Sequence, residues 1–486
     1  MERLLEETWG TGRCQKISLL LSIVPIFSLQ ALYVPHLFYG QLLPHTCSED
    51  NTVLESYTTT NSTSCEGFAC SMETSFANDW GLLCDREYER NQISSIYMLF
   101  SSIGVLFSGF IFDKFGRRNA TIFYYISAMI VYFCMSFAPN FAVFKICYGA
   151  LGFIACGIGT YTLMMELSKN SWKWVIGGVT TVSWTGGNIW MTTCTYFFRD
   201  WRLALQLTAL PFLSTLAIPF LVPESPRWLL KNGRKKEAIY WIKRIAARNG
   251  VTVDEKYIDS CLEPMLKQQE SDSQNHETVW EFLKAKSLVL RFFILCAINF
   301  STMAYWMNVI LASDKMHCCI YITYAIFICL EGPIRGSYTF VLIKKMRRKG
   351  IYFFLTLSPI LFLAMLTLSK FDEDGDFAVL KLALGTLAKL CCTSYFVFMY
   401  TLIVEVMPTN FRQRGVSILL CCGNLGGALA PILFAKIGIM TPYASIALLI
   451  VVQLIYFLPP TLSKNLPESV DDANELAKSG NKFFSF

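Results

Sequence analysis

Two ionisable residues stand deep inside apolar runs: Glu331 in "CLEGPIRG" and Lys389 in "TLAKLCC". Lys389 lies sixteen residues before Glu405 at the end of its run, a depth of about 24 Å along a helix. A lone charge at such depth is costly unless it is paired or hydrated, so each marks a candidate site. The two can pair with each other, a structural role, or receive an ion of opposite sign. Tyr161, Trp184, Tyr305, Trp306, Tyr395 and Phe396 lie in other apolar runs, where ring faces attract flat or cationic groups; aromatic packing accounts for such residues equally well. Other chemistry finds no support. The four histidines (36, 45, 276 and 317) are scattered, and neither H-E-x-x-H nor G-x-x-x-x-G-K-[ST] occurs. No metal, nucleophile or cofactor is implied.

A second charged constellation sits in "SGFIFDKFGRRN", residues 108–119, between two apolar runs. Gly116 permits a sharp turn. Asp113 is placed to accept from a neighbouring helix N-terminus, where the dipole favours a carboxylate. Arg117 and Arg118 can pair with Glu166 and Glu224 on the same side. Ion pairs of this kind form in one global state and break in another, which makes the loop a candidate latch between moving helices.

The elements that must position these groups follow from composition. The chain has 486 residues, 53% hydrophobic and only 16% charged, against about 25% charged in soluble domains. Apolar runs long enough to span a bilayer recur about twelve times: 18–40, 93–112, 120–138, 141–163, 175–197, 203–222, 291–312, 319–343, 351–369, 377–404, 415–435 and 440–459. An all-α membrane protein of twelve transmembrane helices in two six-helix halves is predicted. The first run is too long for a signal-peptide core and is expected to be retained. Its partner is then the lipid bilayer, not nucleic acid, because the net charge of +6 is spread over short loops.

Lys and Arg in those loops set the orientation. Twelve, at 114, 117, 118, 169, 173, 344, 345, 347, 348, 349, 412 and 414, face five, at 199, 202, 315, 370 and 436. The richer side is cytoplasmic. Both termini (1–17 and 460–486) and the central loop 223–290 are then cytoplasmic, and 41–92 is outside. The halves run 18–222 and 291–459. An internal echo supports the division: Glu166 precedes Lys173 after the fourth span as Glu405 precedes Arg412 after the tenth. Cys47, Cys65, Cys70 and Cys84 in the outer loop suggest two disulfides of open connectivity, and Asn61-Ser62-Thr63 is a glycosylation sequon. In the central loop, "KKEAIYWIKRIAARNG" places Ile239, Ile242, Ile245 and Ala246 on one helical face, to pack beneath the bundle or lie on the lipid.

The pattern G-x-x-x-D-x-x-G-R-R at 109–118 resembles the loop signature of the major facilitator superfamily. "VPESPRWLL" (222–230), "NDWGLLCDR" (78–86) and "YTLIVEVMPTNFRQRG" (400–415) resemble the organic-ion transporters, solute carrier family 22. The resemblance implies a plasma-membrane carrier working by alternating access, with a latch of Asp113, Arg117, Arg118, Glu166, Glu224, Arg227, Glu405 and Arg412. In family register, Tyr161, Trp184, Tyr305 and Phe396 face the central cavity. Asn424 stands where cation-carrying relatives have an acid and anion carriers tend to have Arg. With Glu331 and Lys389 these form the expected substrate site, and organic cations or zwitterions are favoured over anions. An anion transporter and a non-transporting, receptor-like member are the alternatives. The second-half loop departs from the pattern, with Lys344 and Arg347 in place of Asp and Gly.

Overall fold

The computed structural model describes residues 12–30, 38–40, 45–47, 53–56, 64–65, 68–69, 72–83, 86–154, 158–169, 172–254, 256–262, 279–312, 320–341, 347–371, 377–408, 411–437, 440–458 and 470–478. Among the described residues, twelve helical segments cover the apolar runs. The first half contains α1 (Arg13–Gln30), α2 (Glu87–Phe115), α3 (Arg117–Ser136), α4 (Phe141–Ile154 and Ile158–Leu167), α5 (Lys173–Phe197) and α6 (Trp201–Leu221). The second contains α7 (Lys286–Leu311), α8 (Ile320–Val341), α9 (Arg347–Phe371), α10 (Ala378–Val406), α11 (Arg412–Ile437) and α12 (Met440–Val452, continued by Gln453–Phe457). Seven are long and apolar enough by themselves to cross a membrane.

Several ends differ from expectation. Helix α1 starts at Arg13 rather than near 18, and α2 runs three residues beyond its apolar core to Phe115, because helix geometry continues into polar caps that hydropathy does not count. Helix α6 tightens to 3-10 geometry over Leu210–Ala217. Pro211 near the start of that stretch and Pro219 just after it remove backbone donors, which accounts for the irregular ladder.

Tight crossings hold the bundle together. Helix α2 packs along both α4 and α11, α7 along α11, and α9 along α10. A Cβ at Gly104 would lie 2.2 Å from the Phe153 carbonyl oxygen, and one at Gly152 would lie 2.4 Å from that of Tyr97. The α2–α4 backbones touch only because both residues lack a side chain. The two halves meet through α2–α11 and α5–α8. At the end of α5 near α8, Phe38 packs on Tyr321 and Tyr324, with centroids 5.4 and 5.0 Å apart, and the Tyr321 hydroxyl donates to the Thr195 carbonyl at 3.2 Å.

The loop between α1 and α2 adds a little β-structure to the otherwise helical described residues. His45–Cys47 (β1) pairs antiparallel with Val53–Ser56 (β2), and Ser64–Cys65 (β3) pairs with Phe68–Ala69 (β4). Asn61, Cys70 and Cys84 lie outside the described residues, as do the side chains of Cys47 and Cys65. The loop's distal part is pinned to the first half. Phe76 and Trp80 pack with Phe141, Phe144 and Trp201, while the Trp201 indole donates to Asp79 at 2.9 Å. In the central loop the helix Lys235–Arg248 buries Ala238, Ile242, Ile245 and Ala246, so the amphipathic segment packs against the bundle.

Candidate functional site

Gly116 ends α2 with φ +95° and ψ 156°, a region open essentially to glycine. The turn points the first amides of α3 at the segment that follows α6. There Glu224 Oε1 accepts from the Arg118 N–H at 3.0 Å and from the Ser225 N–H at 2.9 Å. Glu224, not Asp113, therefore receives the N-terminus of α3; Asp113 lies a turn too early and its side chain is 59% exposed. Burial pushes the Glu224 carboxyl above its usual range, and the two N–H groups and the Arg118 guanidinium pull partly against that shift. Arg117 bonds Asp113 at 2.7 Å and Glu166 at 3.5 Å. The Ser225 hydroxyl donates to Glu166, and the Trp228 indole donates to the Asp113 carbonyl at 2.7 Å.

One knot thus joins α2, α3, α4 and the stretch after α6, all within the first half. Arg227 makes no ion pair among the described residues. Glu405 is half-buried at the end of α10, and the Arg412 side chain lies outside the described residues. Because Asp113 is exposed, neutralising it costs about 0.5 kcal/mol or less in stability. Asp113→Asn is expected to keep surface expression while slowing transport severalfold, checked by uptake normalised to surface-labelled protein.

The deep ionic residues meet in the second half. Lys389 Nζ on α10 lies 3.4 Å from Glu331 Oε2 on α8, each side chain 8% exposed. The same ammonium sits 4.1 Å from the Phe327 ring centroid and 5.3 Å from that of Tyr324. Hydropathy alone could not mark Phe327 and Tyr324; one turn and two turns before Glu331 on the same helix was the available signal.

The remaining candidates divide. Tyr305 is buried, its hydroxyl 3.0 Å from Ser358 Oγ, and its ring meets Phe362 edge-on. Phe396 packs edge-on against Trp306 and lines a recess with Asn299, Met303, Met399, Leu419 and Leu420 between α7, α10 and α11. Tyr161 is 40% exposed and Trp184 half-buried on the first half. Asn424 is buried and donates through Nδ2 to Ser101 Oγ at 3.0 Å, a hydrogen bond from α11 to α2 across the two halves. Asn299, absent from the sequence-based set, accepts from the Tyr395 hydroxyl at 3.2 Å and donates to the Leu419 carbonyl at 2.7 Å.

Comparison with known proteins adds three findings. A family profile described as "Sugar (and other) transporter" matches residues 49–470. The chain is 25% identical over 415 residues to solute carrier family 22 member 6-A of Xenopus laevis, covering 83% of this chain and 73% of that protein. It is 26% identical over 429 residues to member 7 of Bos taurus, covering 82% and 73%. Among solved structures, the inward-open xylose transporter XylE from E. coli superposes with a TM-score of 0.61 at 12% identity, covering 95% of this chain and 98% of that one.

Proposed function

Because the chain belongs to the sugar (and other) transporter family of the major facilitator superfamily, we propose that it carries small organic ions across the plasma membrane by alternating access, with cations or zwitterions preferred. That it is a multi-pass membrane transporter and not an enzyme follows from the family; the resemblance to solute carrier family 22 is borne out by the relatives.

The observation that carries this reading is the buried Glu331–Lys389 pair roofed by Phe327 and Tyr324. Glu331 and the Phe327 and Tyr324 rings already hold one ammonium, that of Lys389; the same groups suit the ammonium of a solute, and a Lys389 displaced from them supplies the counter-charge for a carboxylate on that solute. The aromatics Tyr161, Trp184, Tyr305 and Phe396 offer flat apolar surface for its body. The latch residues Asp113, Arg117, Arg118, Glu166, Glu224 and Arg227, with Glu405 and Arg412 in the second half, hold one end state. Both termini lie in the cytoplasm on this reading.

Uptake of labelled organic cations, carnitine-like zwitterions and organic anions in oocytes or proteoliposomes tests the proposal. Saturable uptake of the first two is expected. Uptake of anions alone would reverse the charge assignment, and no uptake of any class would favour a receptor-like role. Asn424 then tests selection. Asn424→Asp is expected to raise the cation-to-anion uptake ratio about tenfold and Asn424→Arg to lower it similarly, the size of one charge-assisted hydrogen bond. An unchanged ratio in both would remove Asn424 from the discriminating set and leave it a tie between α2 and α11.

A further inference from the structure

Three arginines gather where α3 begins and α6 ends, the side that the proposed function places in the cytoplasm. Arg118 donates to the Pro219 carbonyl, and Arg248 donates to Leu221 at 2.6 Å and to Phe220 at 2.9 Å. Two guanidinium groups therefore close the C-terminal carbonyls of α6. Among the described residues the third, Arg244, donates to no carbonyl of α6; it donates to the Tyr240 hydroxyl at 3.2 Å. Trp241 lies between Arg118 and Arg244, with ring-to-guanidinium distances of 5.3 and 5.0 Å.

The charges do not balance. The negative end of a helix dipole is worth about half an elementary charge, and Glu224 supplies one carboxylate. Against these stand three fixed cations, none within ion-pair distance of a carboxylate among the described residues. Beside the cluster, Phe220, one of the capped residues, is 73% exposed, and Tyr240 is 55% exposed. An apolar shelf beneath a cationic, aromatic-backed notch matches one kind of partner, a molecule with acyl chains and an anionic phosphate.

We propose that Arg118, Arg244 and Arg248 around Trp241 form a binding site for the phosphate headgroup of an anionic phospholipid of the inner leaflet. Guanidinium groups receive phosphate oxygens in bidentate fashion, and Phe220 lies along the upper acyl chains. Capping alone explains Arg118 and Arg248 but leaves Arg244 without a purpose. The bound lipid would brace the helix Lys235–Arg248 against α3 and α6, joining the central loop to the first half.

Native mass spectrometry of the full-length protein, released from phosphatidylcholine nanodiscs with or without phosphatidylserine, tests the site. Retention of phosphatidylserine over phosphatidylcholine is expected. Arg244→Gln should weaken that preference about fivefold, the effect of one basic residue at an anionic surface, with an unchanged unfolding temperature in phosphatidylcholine alone. Arg244→Gln/Arg248→Gln should remove the preference. Glycerophosphoserine, which has the headgroup without chains, should compete only weakly; full competition would make this a soluble-phosphate site and overturn the lipid assignment. Equal retention of both lipids, an undiminished preference in the double variant, or a preference seen only after deletion of residues 1–11 would also overturn it, the last because the chain's own acidic tail would then be the occupant.

Discussion

Lys389→Ala is expected to remove uptake and to lower the unfolding temperature by more than any surface change, because it strands the Glu331 carboxylate among α8 and α10 side chains. Breaking a buried ion pair from one side costs about 3–5 kcal/mol, and Lys389 also gives up its contact with the Phe327 face at 4.1 Å. Glu331→Ala should act alike from the other side. The informative variant is Glu331→Gln/Lys389→Met, which removes both charges while nearly preserving volume. It is expected to recover most of the thermal stability in detergent, since neutral replacement of a buried pair is often tolerated, but not uptake of charged solutes. Normal uptake by the double variant would reduce the pair to a structural tie. A Lys389→Ala protein as stable as the native chain would refute the energetic argument altogether.

Gly116→Ala is the second large effect. Its added Cβ would lie 2.5 Å from Glu224 Oε2 and 3.2 Å from the Trp228 ring, and the backbone angles themselves cost about 1–3 kcal/mol for any side chain. Relief requires Glu224 to move, which frees the Arg118 and Ser225 amides from a charged acceptor, a further cost of about 1.5–3 kcal/mol. The expected result is a lower unfolding temperature and loss of transport. Adding Glu224→Ala removes the collision but not the backbone strain or the lost hydrogen bonds, so the pair of changes should not restore the native unfolding temperature. An unchanged unfolding temperature in Gly116→Ala would show that the turn is not held as described.

Asp113 and Glu224 illustrate how far the linear chain could be read. The loop "FDKFGRR" announced a turn with an acid that closes a helix N-terminus, and the turn does have such an acid. Its identity was misread, since the nearest carboxylate in sequence is Asp113, whereas the nearest in space arrives from the far end of α6. Glu331 and Lys389 were easier: ionisable residues deep in apolar runs have few places to go, and pairing with each other was already one of the two readings. Asn424 was noticed for its family position, yet its partner Ser101 carries no signal at all, being one serine among several on α2.

Hydropathy and the placement of Lys and Arg are properties of short stretches judged against water and lipid, so the chain alone determined the apolar spans, their division into halves, the expected sidedness and the residues too costly to bury unpaired. Which of those residues meet depends on how each helix is rotated and slid against its neighbours. That is settled by packing at contacts such as Gly104 on Phe153 and Gly152 on Tyr97, where a fraction of an ångström matters. Only the tertiary structure therefore decided that Glu224 receives α3, that Phe327 and Tyr324 cover Lys389, that Asn424 ties α11 to α2, and that three arginines converge at the end of α6.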